Sequence, residues 1–208
     1  LSGSQLSSDN CRFASNEATT GNGGGVLLLF ASTMTDTSST FTSNMALSGD
    51  GGGVGVIDPN SQITATSSTF TSNKADKGAG IFGGGGTTVI ALTADTNNAT
   101  TSGGGVWTNG TMSLTAQCNF TNNVAGVGGG MTVTSGADVS STGSSWKNNI
   151  ADTLGGGVYL AGDNKLTVTG DMFTTNQAMS GGGVYGSFGS SVTALSSTMF
   201  TSNMAAVW

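Results

Sequence analysis

The acid–base inventory is short: eleven carboxylates, five basic groups, two tyrosines and two cysteines, with histidine absent. Hydrolysis or elimination needs paired carboxylates, or a metal with a base beside it. The acids do not pair: Asp9, Glu17, Asp36, Asp50, Asp58, Asp76, Asp95, Asp138, Asp152, Asp163 and Asp171 fall singly along the chain. Without histidine the commonest base and metal ligand is missing. A calcium-binding Gly-Gly-x-Gly-x-Asp nonapeptide is not matched. Asp50-Gly51-Gly52-Gly53 and Gly162-Asp163-Asn164 read as turns instead. The reading is therefore no enzyme, no catalytic residue, no metal site and no cofactor. The net charge is −6, and Arg12, Lys74, Lys77, Lys147 and Lys165 are scattered. Nucleic-acid binding needs clustered basic residues. No apolar run approaches the roughly 20 residues of a membrane span.

The elements that would position any site come from a repeat. Phe41-Thr42-Ser43-Asn44-Met45-Ala46 returns as Phe70 to Ala75 and Phe200 to Ala205, with looser copies starting at Phe13, Phe120, Trp146 and Phe173. The copy at Asn97 and Ala99 has Ala94 in place of the aromatic. Between copies stands Gly-Gly-Gly-Val or a variant, as at Gly23 to Val26, Gly51 to Val54, Gly78 to Ile81 and Gly155 to Val158. Both signatures recur every 24 to 29 residues, the mark of a solenoid. Ile63-Thr64-Ala65-Thr66 alternates apolar and polar, as a half-buried strand does, and helical periodicity is absent. The spacing predicts an all-β, right-handed parallel β-helix over residues 1–208, one domain of about eight coils with three short strands each. Stacking would build an aromatic ladder, a Val/Ile ladder and an Asn ladder from Asn16 to Asn203. Asn would take the sharp turn and bond the coils above and below. A chain that opens part-way through a repeat and stops at Trp208 reads as a segment of a longer repeat protein. Cys11 and Cys118 each lie two residues before an aromatic. Four coils place them roughly 19 Å apart, beyond the roughly 7 Å Cα separation of a disulfide. Two buried free thiols are expected, with pairing to another chain as the alternative.

The Gly-Gly-x-Val/Ile signature paired with Phe-x-x-Asn resembles the repeat of the chlamydial polymorphic outer-membrane proteins, from Phe13 to Asn203. Most copies here read Gly-Gly-Gly-Val where that family has Gly-Gly-Ala-Ile. The resemblance implies a secreted, cell-surface location and an adhesive or structural role, and it carries no catalytic residues across.

Function then rests on outward positions. One face predicts a Thr-x-Thr grid: Thr35 and Thr37, Thr64 and Thr66, Thr115 with Gln117, Ser140 with Thr142, Thr167 and Thr169, and Thr193 with Leu195. Such grids look like the ice-binding faces of β-solenoid antifreeze proteins, although Thr is also simply a good exposed strand residue. A second face, one residue past the buried Val or Ile, carries Leu27, Phe82, Trp107, Tyr159 and Tyr185. An apolar strip there suits packing on a protein subunit or on sugar rings, or lies under a loop of the chain itself. Asn98, Asn109 and Asn119 begin Asn-x-Thr sequons, and Asn109 beside Gly110 is the best placed for a glycan. The expected function is an extracellular structural or adhesive rod with protein or glycan partners. Ice binding is the alternative, and a polysaccharide-binding or polysaccharide-active helix a more distant one.

Overall fold

Thr33-Met34-Thr35-Asp36-Thr37 alternates side chains across a strand, and the burial follows: Met34 and Asp36 point inward while Thr35 and Thr37 face solvent. That pattern, repeated, is the wall of the molecule. In the computed structural model, which describes residues 3–84, 86–115 and 117–206 and only the backbone over 86–90, the chain winds as an all-β parallel solenoid of about seven coils, with no helix among the described residues. Leu1, Val207 and Trp208, the last being the expected stop, lie outside the described residues.

Each full coil contributes four strands rather than the three expected. Coil one holds β1 (Gln5–Asp9), β2 (Arg12–Ala14), β3 (Glu17–Ala18) and β4 (Val26–Leu28). Coil two holds β5 (Thr33–Thr37), β6 (Thr40–Thr42), β7 (Met45–Ala46) and β8 (Val54–Val56). Stacking yields three sheets of eight strands and a fourth of seven, so seven coils are complete and three strands begin an eighth. The strand missed by the sequence reading is the Asn-x-Ala piece. At two residues in β3 and β7 it is too short to show alternation.

Two ladders set the register. Phe41 and Phe70 stack at 4.5 Å between ring centroids and 3° between planes, and Phe120 and Trp146 at 4.1 Å and 4°. Ala94 pairs with Phe70 on one side and Phe120 on the other, as the expected gap. The Asn ladder bonds every coil to the next. Asn97 donates its backbone N–H (3.1 Å) and Nδ2 (3.0 Å) to Asn123 Oδ1, and its Nδ2 also reaches back to the Phe70 carbonyl at 2.9 Å. The left-handed backbone falls one residue earlier than expected, on Ser43, Ser72, Thr96, Asn122, Asn148 and Thr175, with φ of 53–57°. The ladder Asn supplies hydrogen bonds, and its predecessor makes the turn.

The glycine runs are needed for proximity. Gly51 takes φ 74°, and a Cβ on Gly52 would stand 2.5 Å from the Lys74 carbonyl oxygen of the next coil. No side chain fits there. The third sheet packs its inner face with Ala46, Ala75, Ala99 and Ala125, a second and thinner core beside the main one.

Candidate functional site

Strand register corrects the threonine face. In the first sheet Thr35 pairs with Thr64, Thr64 with Thr88, Thr88 with Ser113, Ser113 with Ser140, Ser140 with Thr167 and Thr167 with Thr193. Ser7 pairs with Thr35 at the start. That column carries a hydroxyl residue in every coil; of its described side chains, Ser7, Thr35 and Ser140 are exposed and Thr64, Ser113, Thr167 and Thr193 half-buried. The neighbouring column pairs Asp9, Thr37, Thr66, Ile90 and Thr115 in succession, and then Thr142, Thr169 and Leu195. Ser113, not Gln117, accompanies Thr115. Gln117 sits past the strand end in the turn, at φ 58°. The sequence misleads there because the fifth coil turns after Thr115, so counting on by two leaves the sheet. Thr35, Thr37, Thr115 and Thr142 are exposed, while Thr64, Thr66, Thr167, Thr169 and Thr193 are half-buried between neighbours.

The second sheet carries a hydroxyl face that the sequence reading passed over. Thr40 and Thr42 flank buried Phe41, and Thr69 and Thr71 flank buried Phe70. The signal was present in the Thr-Phe-Thr triplets. An inward aromatic in a strand requires both of its neighbours to face outward.

The apolar strip is in register: Leu27, Gly55, Phe82, Trp107, Thr132, Tyr159 and Tyr185 pair in succession along the fourth sheet. Its rings do not lie flat on the surface. Phe82 and Trp107 stack at 4.3 Å with planes 1° apart, so each gives one face to the other. Side-by-side rings could not approach so closely. Phe82 is left only 9% exposed and Thr132 only 1%, while Leu27, Trp107, Tyr159 and Tyr185 are half-buried. Tyr159 and Tyr185 stand 6.0 Å apart and tilted by 37°. Ring edges, more than ring faces, reach solvent along the Phe82–Trp107 stretch, whereas stacking on a sugar uses faces.

Asn98, Asn109 and Asn119 are all exposed. Asn109 follows the strand Val106–Thr108 in a bend. Asn119 lies inside a strand whose Thr121 hydroxyl donates to Asp95 Oδ1 at 2.7 Å.

Two carboxylates whose burial the sequence reading did not foresee lie inside the rod, with Cys118, whose burial it did. Asp36 is fully buried and accepts Ser8 Oγ and Ser68 Oγ, each at 2.5 Å, which ties coils one, two and three together. Its inward phase was readable from the alternation around it. Asp171 is also fully buried; it accepts the Ser144 N–H at 3.0 Å and Trp146 Nε1 at 3.1 Å. Cys118 is buried and takes a hydrogen bond from the Leu92 N–H at 3.4 Å; burial pushes its thiol pKa up. Cys11 holds the equivalent position in the first coil but is exposed, against the expectation of two buried thiols. The Ser39 hydroxyl of the second coil takes its N–H at 3.0 Å. Burial raises the Asp50 carboxyl against the lowering pull of Lys77, and Asp76 adds to the rise, so these two acids lie close together, whereas the sequence reading has all the acids isolated. Among the described residues no three potential ligands converge as a metal site, and no helix is long and apolar enough to cross a membrane.

The chain matches no family model, no curated protein and no solved structure.

Proposed function

We propose that this chain is a non-enzymatic rod of a secreted, cell-surface assembly, right-handed as parallel crossovers nearly always are. It serves adhesion or scaffolding through its outer faces, and other subunits or glycans are its partners. The observation that carries the reading is the Asn ladder. From Asn16 to Asn203 each coil is bonded to the next by both backbone and side-chain donors, so stiffness is distributed over the whole length. The Gly-Gly-x-Val/Ile and Phe-x-x-Asn pairing, resembling that of the polymorphic outer-membrane proteins, supports the same role and location. Asn109 is the preferred glycan site.

Electron microscopy of native, untruncated material tests this. Fibres or surface projections are the expected result. Solitary, soluble rods would argue against a scaffold. Trp107→Ser removes the partner of Phe82 and is expected to loosen assembly; unaltered assembly would remove the fourth-sheet strip as a contact.

A further inference from the structure

The two hydroxyl faces adjoin at one corner, and in coils two and three neither presents a charged residue outward. Coil two presents Thr33, Thr35, Thr37, Thr40 and Thr42 outward from β5 and β6. Coil three presents Gln62, Thr64, Thr66, Thr69 and Thr71 from the strands Gln62–Thr66 and Thr69–Thr71. The registers align Thr35 with Thr64, Thr37 with Thr66, Thr40 with Thr69 and Thr42 with Thr71. The only acid in these four strands, Asp36, points inward. On the first sheet the hydroxyl column then continues through every further coil to Thr193.

From this arrangement we infer that the first-sheet face, continued around the corner by the Thr-Phe-Thr strands, is an ice-binding surface. The inference goes beyond the rod reading, giving one face a ligand that is neither a subunit nor a glycan. Three properties select ice. Coils repeat at about 4.8 Å and alternate residues at about 6.8 Å, so methyls and hydroxyls recur on a two-dimensional lattice. The coil spacing is close to an oxygen repeat of hexagonal ice. Second, the lattice is rigid: the four strands of coils two and three are each bonded on both sides, and Phe41 stacked on Phe70 at 4.5 Å floors the second face. Third, the composition fits other partners poorly. Protein interfaces concentrate aromatic residues, Met and Arg, and sugar recognition uses exposed ring faces; these ten positions hold neither. Threonine offers a methyl to displace disordered water and a hydroxyl to join the ordered layer.

The test is ice growth in the presence of the purified full chain, read as crystal shape and thermal hysteresis. Thr66→Tyr and Thr71→Tyr place a bulky ring on the first and second faces; Gln177→Tyr does so on the third sheet. Circular dichroism and the unfolding midpoint confirm that each variant is folded. The expected result is ice shaping by the parent and by Gln177→Tyr, lost in Thr66→Tyr and weakened in Thr71→Tyr. No shaping by the parent, or shaping unaltered in Thr66→Tyr, overturns the inference. Self-association by sedimentation that Thr66→Tyr abolishes, without ice shaping, would also overturn it and make the face a contact between copies. None of these outcomes depends on the microscopy of native material, so either reading can fail alone.

Discussion

Trp146 Nε1 donates to Asp171 Oδ2 at 3.1 Å across one coil, inside the rod. The pair explains two departures from the repeat at once. Trp146 replaces the ladder phenylalanine and brings a donor into an apolar stack, with ring centroids 4.1 Å from Phe120 and 5.5 Å from Phe173. A buried donor without an acceptor costs about 1–3 kcal/mol. Asp171 accepts it, and its second oxygen takes the Ser144 N–H. Asp171→Ala is expected to destabilise by about 1–3 kcal/mol for each orphaned donor. Trp146→Phe alone leaves the carboxylate short of one donor. Urea unfolding of both single variants and the double variant should show strong coupling; additive effects would mean that the bond contributes nothing specific.

The Asn ladder offers a positional test. Asn123 accepts from the backbone and side-chain amides of Asn97 and donates to Asn149 Oδ1 and the Ala94 carbonyl. Asn123→Ala should cost several kcal/mol, because two Asn97 donors on one side, and the Ala94 carbonyl and Asn149 Oδ1 as acceptors on the two neighbouring coils, lose a buried partner. Asn16→Ala, at the start of the ladder, should cost less. Amide exchange is the measurement, since a solenoid opens coil by coil. Equal effects at the two sites would remove the ladder as a source of distributed stiffness.

Thr96 is a β-branched residue held at φ 53°, a conformation costing about 1–3 kcal/mol in a residue other than glycine. The same column uses Asn122 and Asn148, which tolerate it better. Thr96→Asn should raise the unfolding midpoint by about 2–4 °C for each kcal/mol of strain relieved. A lowered midpoint would show that the Thr96 hydroxyl contact with Ser72, at 3.1 Å, outweighs the strain.

The two cysteines should differ in reactivity and in pH dependence. Cys11 is expected to alkylate at once in the native protein, and Cys118 only on unfolding. Burial raises the folded thiol pKa of Cys118 above that of the unfolded chain, which is about 8.5. The folded state therefore holds its proton longer than the unfolded state does. Stability contributed by the neutral thiol is fully present below the unfolded value and is lost as pH rises from there through the raised one. Urea midpoints between pH 7 and 10 should fall more steeply for the parent than for Cys118→Ala. Identical slopes would discount the effect.

Much of this molecule was legible in its sequence because the repeat states each structural demand many times. Phe41, Phe70 and Phe120 had to face inward together, and Asn44, Asn73 and Asn97 had to share a corner; all do so. Periodicity in the chain becomes proximity in space when coils stack in register, and no long-range information is needed for that. The tertiary structure alone decided matters that depend on where a strand ends and what covers it. The two-residue strands, Ser113 as the partner of Thr115, and the corner that joins two threonine faces all turn on single-residue phase, which alternation over so few residues does not resolve. Exposure was decided the same way. Cys11 and Cys118 occupy equivalent positions, yet one is open and one closed. Phe82 was placed outside by its phase and then covered by stacking on Trp107. Phase is a property of the chain, whereas burial depends on neighbouring coils that lie 24 or more residues away.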